Sequence, residues 1–362
     1  MGKITFVGSY PTHKRIVTDF MSLDTAVAGI GLDRNVLPGL PTHCGYHIWS
    51  KETGLGKSVV TFSLAGIIAM QLNKNIAICP TDTFDLSNLQ SILEHTGMEG
   101  EVEIIMNPKG HGASLDDLNV ALSNKKCAVT VLDSAYATMS TAVDEGGSED
   151  ANMGRDAKMI STYVRQAKGI LDANPTVSKA FFVTNMSFVN VNARRAFGPP
   201  PYEPARGRTL MGLTSIHIDL YPAYFENKAV RFDKGRLLSG RVMKSNFGPT
   251  GREFQVFTIG GLGIHKGLTA VFDCLGYRLA KIKAGKVELE GETFPSPINM
   301  LKDYTDDEMF IPFLAVLDAN KGAIYVGELV KPKPVYGAKK KEKVVEEDVE
   351  EETDEEVGDE NE

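Results

Sequence analysis

The stretch CGYHIWSKETGLGKSVVTFSLAGIIA, from Cys44 to Ala69, constrains the fold of this chain more than any other. It reads as a short buried strand (Tyr46 to Trp49), a glycine-bearing loop (Lys51 to Gly56) and a helix opened by Lys57 and Ser58. A loop between strand and helix turns several backbone N–H groups toward one point, where the positive end of the helix dipole also lies. That point is an anion site. Gly54, Leu55, Gly56, Lys57, Ser58 and Val59 form the run around a phosphate, and the two glycines let the backbone approach it with no Cβ between. Lys57 has the length to reach the β and γ phosphates, and the Ser58 hydroxyl can complete the shell of a magnesium ion. The run departs from G-x-x-x-x-G-K-[ST] at its first position, which holds Lys51, so the rest of the chain has to decide its use.

Beyond this loop, strand and helix patterns alternate regularly along the chain. The first helix ends near Asn73 and leads into NIAICP (Asn75 to Pro80), an apolar run of strand length. A helix is expected over Asp85 to His95, then a strand at EVEIIMNP, a helix at SLDDLNVALSN with Ser114 as its cap, and a strand at KKCAVTVLD. Strands and helices alternating at these lengths specify an α/β fold with a mostly parallel, doubly wound sheet. Ligands of such sheets bind at the carboxyl ends of the strands. Asp133 ends CAVTVLD about 75 residues beyond the phosphate loop, where a carboxylate emerges beside the phosphates and can position magnesium with Ser58; the alternative is a cap on the next segment.

The formal net charge of −8 conceals two regions. Glu342 to Glu362 holds thirteen acidic residues against one lysine, which leaves residues 1 to 341 at about +4. The acidic tail lacks aromatic residues and should be disordered. It is either a solubilising tail or an internal competitor for a basic, nucleic-acid-binding surface. No apolar run reaches the roughly 18 residues of a membrane span, and the N-terminus lacks the apolar core of a secretion signal. A cytoplasmic protein is expected, with Cys44, Cys79, Cys127 and Cys274 as reduced core residues. Residues 1 to 21 offer a short strand candidate (Ile4 to Val7) and too little else for a domain; they suit an arm packing on a neighbouring subunit.

Two segments interrupt the alternation. Residues 144 to 154, DEGGSEDANMG, enter a helix carrying Arg155, Lys158, Arg165 and Lys168. After the strand KAFFVTN (Lys179 to Asn185) comes MSFVNVNARRAFGPPPYEPARGRT, before the strand LTSIHIDLY. Long loops inside a compact domain are usually functional. The second mixes Arg194, Arg195, Arg206 and Arg208 with Phe188, Phe197 and Tyr202, cations for phosphates and rings for bases.

Taken in order, SLDTAVAGIGL…LPGL, GLGKS, AICPTD, VTVLDSAYA, EDANMGRDAKMISTYVRQAKGIL, FFVTN, the arginine-rich loop, RGRTLMGLTSIHIDL and EFQVFTIGGLGIHKGLTAVFDCLGY resemble the RecA recombinases, including those of bacteriophages. The resemblance covers roughly residues 22 to 290. It implies a RecA-like ATPase core over 22–275 with two DNA-binding loops (144–154 and 186–208), a short N-terminal arm (1–21), a small C-terminal lobe (276–337) and a disordered acidic tail (338–362). It implies that Lys57 and Ser58 bind ATP and magnesium and that Asp133 is the acid of the second motif. Asp82 stands where the family carries the glutamate that activates water, one methylene shorter, with Asp85 as the alternative. Asn185 stands for the amide that senses the γ-phosphate, and Lys244 for the lysine that crosses to a neighbour's phosphate, with Arg241 as a companion. Met153, Arg155, Lys158 and Arg165 with Arg194, Arg195, Phe197, Arg206 and Arg208 would hold DNA.

The function so implied is an ATP-dependent recombinase that forms a helical filament on single-stranded DNA and pairs it with homologous duplex DNA. Single-strand-binding and mediator proteins would be its partners, and no membrane. Two alternatives stay open: a ring-forming, helicase-like ATPase on the same core, and a DNA-coating protein without ATP turnover, for which Lys51 and Asp82 speak. A strand pair is expected at GYRLAKIKAGKVELEGETF, His265 and Lys266 lie in a glycine-rich turn, Lys339 to Lys341 suit a solvated hinge, and Trp49 suits the core.

Overall fold

The computed structural model describes residues 14–30, 36–82, 85–138, 153–189, 202–205, 207–225, 228–229, 235–300, 305 and 307–326. The Ile4 to Val7 strand candidate, residues 144–152 of the first loop, Arg194, Arg195, Phe197, Arg206, the Lys339 to Lys341 hinge and the acidic tail lie outside these residues.

One large sheet organises the described residues. In chain order its strands are β1 (Cys44–Ser50), β2 (Asn75–Pro80), β3 (Val102–Ile104), β4 (Cys127–Asp133), β5 (Ala180–Val189), β6 (Tyr202–Pro204), β7 (Ile216–Pro222), β8 (Gly235–Ser245), β9 (Glu253–Ile259) and β10 (Gly263–Ile264). They lie in the order β10-β9-β8-β7-β1-β5-β4-β2-β3, with β6 paired antiparallel to the far end of β5. The six strands from β7 to β3 run parallel, and β8 to β10 extend the sheet antiparallel. The sheet is mostly parallel with helices on both faces, consistent with the α/β core expected from the sequence.

Alternation along the buried strands sends side chains to two faces. After the short helix α1 (Met21–Ala26), Tyr46, Ile48, Ile76, Ile78, Val129, Val131 and Phe182 meet helices α2 (Lys57–Leu72) and α3 (Leu86–His95) on one face. Cys79, Leu132, Phe181 and Val183 meet α4 (His111–Ser123) and α5 (Met153–Ala173) on the other. Helix α2 is buried continuously from Val60 to Ala69, as a helix enclosed on several sides must be. It ends at Asn73, whose left-handed backbone (φ 50°) closes the last turn. The four cysteines are buried free thiols.

Several boundaries differ from the sequence expectation. Ser114 does not cap α4. The helix begins three residues earlier at His111, after Gly110 at φ 96°, and the Ser114 hydroxyl accepts from Asn107 N at 2.9 Å. The strand expected over EVEIIMNP is confined to β3 at the sheet edge. The second excursion is shorter than 186–208, because β5 continues to Val189, β6 returns beside it, and helix α6 (Gly207–Leu213) begins at once. His265 is the cap of helix α7 (Lys266–Gly276), its Nδ1 accepting from Leu268 N at 3.1 Å. The expected strand pair has a third member: β11 (Ala280–Lys283), β12 (Lys286–Leu289) and β13 (Glu292–Phe294) form one antiparallel sheet. Val287 and Leu289 of that sheet join α7, β9 and helix α8 (Ile311–Ala319) in a separate apolar cluster around Phe310 and Phe313.

Two glycines admit aromatic rings between strands. Gly45 of β1 lies opposite Phe181 of β5, and Gly240 of β8 opposite Phe254 of β9. A Cβ on Gly45 would sit 2.2 Å from Phe181 Cζ, in a buried site where neither strand has room to move. Gly45→Ala is therefore expected to destabilise the fold by about 1–3 kcal/mol, read as a lower urea midpoint.

Candidate functional site

Parallel register sets the site. Trp49 pairs with Asn185, Leu132 with Val183 and Pro80 with Asp133, so β1, β4 and β2 end at one level of the sheet, while β5, between β1 and β4, runs on to Val189. The loop leaving β1 carries Gly54 at φ 63° and Gly56 at φ 106°, left-handed conformations that side chains resist. Gly56 occupies the N-cap position of α2 without a side-chain hydrogen bond, which leaves the first-turn N–H groups of Lys57, Ser58 and Val59 as donors for an incoming anion. Leu55 is fully buried beneath the loop and anchors it.

Lys57 Nζ donates to Ser50 Oγ at 3.0 Å and to the Glu52 carbonyl at 3.1 Å. Burial pulls its pKa below the usual lysine range, partly offset by the charge of Asp133. Asp133 accepts hydrogen bonds from Thr184 and from Ser58. Burial raises its pKa, these two bonds and Lys57 oppose the rise, and the charge of Asp82 adds to it. The structure brings Lys57, Ser58, Asp133 and Asp82 together and adds Thr184, which sequence reasoning missed and whose position at the end of the apolar run FFVT was the available signal. Asp82 is exposed just past β2. Asp85, the alternative, is used as the cap of α3, accepting from Ser87 N and Asn88 N.

These groups suit a nucleotide triphosphate with magnesium. Among the described residues no cluster of three His, Cys, Asp or Glu side chains forms a closed metal site. Magnesium usually keeps one or two protein ligands and takes the rest from phosphates and water. The bonded pair Ser58 and Asp133 at the mouth of an uncapped helix meets that requirement.

Asn185 is fully buried and its amide is saturated. Nδ2 donates to the Ala205 carbonyl at 2.7 Å and lies 3.2 Å from His47 Nε2, while Oδ1 accepts from Met186 N at 2.9 Å. It thus ties β5 to the residue that closes the second loop. His47 and His217 stand beside each other in the β1–β7 ladder. Burial, helped by His217, holds His47 well below its usual pKa; burial and then Lys244 bring His217 down to about 4, against the opposing bond from Thr214. Both rings are neutral near pH 7.

Lys244 turns back onto its own chain, donating to the carbonyls of Met211 (2.7 Å), Gly212 (3.2 Å) and Thr214 (2.8 Å) at the end of α6, where a cation satisfies helix carbonyls. Arg241 is paired with Glu253. Arg155, Lys158 and Arg165 are exposed on α5, opposite the buried stripe Ile160, Val164, Ala167 and Leu171. Met153 and Arg208 occupy the first turns of α5 and α6. The exposed rings of Tyr136 and Phe188 lie 5.2 Å apart at the base of both loops.

Asp219 of β7, partnered by Trp49 and Arg241 in the adjoining ladders, was not legible in the sequence. Burial raises its pKa to about 6, against the charges of Lys51 and Arg241 and a bond from Trp49. A folded-state pKa above the unfolded value means that the folded protein holds this proton longer, so the contribution is present at low pH and lost as pH rises through about 6. Urea midpoints at pH 4.5 and 7 should show a stability loss from this group that Asp219→Asn removes.

Among known proteins, no protein-family model matches the chain. It is 25% identical over 299 residues to protein RecA of Thermus thermophilus, covering 81% of this chain and 79% of that protein. It is 25% identical over 283 residues to protein RecA of Thermus aquaticus, covering 77% and 74%. These matches are a distant homology to RecA over about 80% of the chain and support a place in the RecA-type family. No helix among the described residues is long and apolar enough to cross a membrane.

Proposed function

We propose that this protein is an ATP-dependent DNA recombinase that polymerises on single-stranded DNA and pairs it with a homologous duplex. The observation that carries the reading is the juxtaposition at the carboxyl ends of β1 and β4, beside Thr184 and Asn185 of β5. An uncapped helix N-terminus with Lys57 and the Ser58–Asp133 pair lies beside Asn185, whose amide reaches the end of the arginine-rich excursion. The distant homology to RecA supports the same reading.

In this reading the first-turn N–H groups of α2 and Lys57 hold the phosphates of ATP. Lys57 exchanges its neutral partners Ser50 Oγ and Glu52 O for phosphate oxygens, a stronger, charge-assisted contact. Ser58 and Asp133 would hold magnesium, which would neutralise charge on the phosphates as they separate. Asp82, exposed beside Asp133, orients the attacking water. Catalysis is then mainly positioning and charge stabilisation. Lys244 leaves the α6 carbonyls to reach the phosphate of a neighbouring protomer, so filament assembly and ATP binding become linked.

Arg155, Lys158 and Arg165 on α5 with Met153, and Arg194, Arg195, Phe197, Arg206 and Arg208 of the second segment, grip the DNA backbone and bases. Sequence is read by base pairing, with single-strand-binding and mediator proteins as partners, in the cytoplasm of a bacterium or a phage-infected cell. Lys51 and Asp82 place the chain, in this reading, with the bacteriophage RecA-like recombinases.

Steady-state ATP hydrolysis should rise at least tenfold with single-stranded DNA, and Lys57→Ala should lower the stimulated rate at least 100-fold while leaving the fold intact. Affinity for an oligonucleotide should fall steeply between 50 and 200 mM salt as counterions are released. DNA binding without turnover in either condition would reject the ATPase assignment and favour the coating protein; closed rings in electron micrographs would favour the helicase-like reading.

A further inference from the structure

Lys51 occupies the first position of the phosphate loop, where the usual pattern has glycine, and the activity proposed above gives it no task. Its side chain is nevertheless placed. Lys51 Nζ lies 3.7 Å from the centroid of the Tyr202 ring, well inside the range of a cation–π contact. The Asp219 carboxylate feels the positive charges of Lys51 and Arg241. Arg241 is itself paired with Glu253, so Lys51 is the cation of this group that turns to the ring.

Tyr202 matters for where it stands. It opens β6, opposite Val189 of β5, at the point where the chain returns from residues 190–201. The far end of β6 is tied to the strands flanking the loop by the Asn185 amide on the Ala205 carbonyl and by Ala205 N on the Met186 carbonyl, both at 2.7 Å. The near end is joined to the phosphate loop itself by Lys51 and Tyr202. A glycine at position 51 has no side chain with which to make this link. A solvated surface lysine would need no ring: Tyr202 is 46% exposed and its contact with Lys51 leaves both groups partly in water.

We propose that Lys51 is a positioning residue that latches the phosphate loop to β6 through the Tyr202 ring, so that a nucleotide in the loop and a nucleic-acid strand on the β5–β6 pair bias each other's binding. The nucleic acid as ligand rests on the function proposed above; the latch rests on the Lys51–Tyr202 contact. By thermodynamic linkage, the factor by which nucleotide tightens DNA must equal the factor by which DNA tightens nucleotide.

The test is a double-mutant cycle on the full chain, with a non-hydrolysable fluorescent ATP analogue plus magnesium and a fluorescein-labelled oligo(dT) as probes. Each affinity is measured with and without the other ligand for wild type, Lys51→Gln, Tyr202→Leu and the double variant, with thermal melting as a check on folding. Trypsin cleavage at Arg194 and Arg195 gives a second readout of whether nucleotide alone reaches the segment. The expected result is a mutual enhancement in the wild type that falls three- to tenfold in either single variant and no further in the double. Lys51→Arg keeps the cation and Tyr202→Phe keeps the ring, and both should retain the wild-type factor and the trypsin response. Additive losses, an unchanged factor in the single variants, or failure of the two conservative variants to retain it would overturn the latch. Independent binding of the two probes to the wild type would also overturn it while leaving DNA-stimulated hydrolysis to stand. Absence of nucleotide binding in the wild type would reject the proposed function and the latch together.

Discussion

The common level at which β1 and β4 end on either side of β5 is the constraint on which the rest of this structure depends. These strands are buried on both faces, and a slip of one residue in either ladder would exchange every inward side chain with one of the opposite face. Tyr46 on Phe182, rings stacked at 4.4 Å with planes 7° apart, and Phe181 over Gly45 hold β1 to β5 in one register. That register sets Asn185 beside Trp49, one residue before the strand gives way to the phosphate loop, and the neighbouring β4–β5 register, with Leu132 opposite Val183, brings Thr184 to Asp133. The apolar core thus acts on function by fixing where a few polar groups emerge.

Those polar groups carry a tension that a ligand can resolve. Burial disfavours the charge on both Asp133 and Lys57, and each lowers the cost to the other. Lys57 meanwhile rests on two neutral oxygens of its own loop. A polyanion with a divalent cation supplies what each lacks: opposite charge for the lysine, and a metal for the carboxylate and the serine. Asn185 and Lys244 are different. Their hydrogen bonds are made within the chain, to Ala205 and to the end of α6, so any task toward a nucleotide requires those contacts to be exchanged. In the proposed function these two residues exchange partners, whereas Leu55 and Thr184 keep theirs.

The second segment is joined to that frame at both ends of β6. Asn185 secures Ala205 from the sheet side and Lys51 secures Tyr202 from the loop side. The departure from the usual glycine therefore has a structural partner, and it lies on the strand that returns from the arginine-rich excursion. The α5 cations Arg155, Lys158 and Arg165 are exposed on the same chain, whose residues 1 to 341 carry a positive balance.

The sequence by itself determined the elements whose causes are local. Glycines at 54 and 56 demand left-handed backbone, the apolar run before Asp133 demands a buried strand, and Asp85 three residues before Asn88 demands a helix start; all three appear where the residues require. Local pattern also misled where two local signals compete: Ser114 is a good cap, but a positive-φ Gly110 opened α4 a turn earlier. Only the tertiary structure decided which distant groups meet. Thr184 on Asp133, Lys244 on the α6 carbonyls, Asp219 beside Lys51, and Lys51 on Tyr202 join residues separated by 30 to 170 positions. Such pairings are set by strand order and register, which depend on the packing of the whole sheet and leave no mark in the neighbouring sequence of either partner.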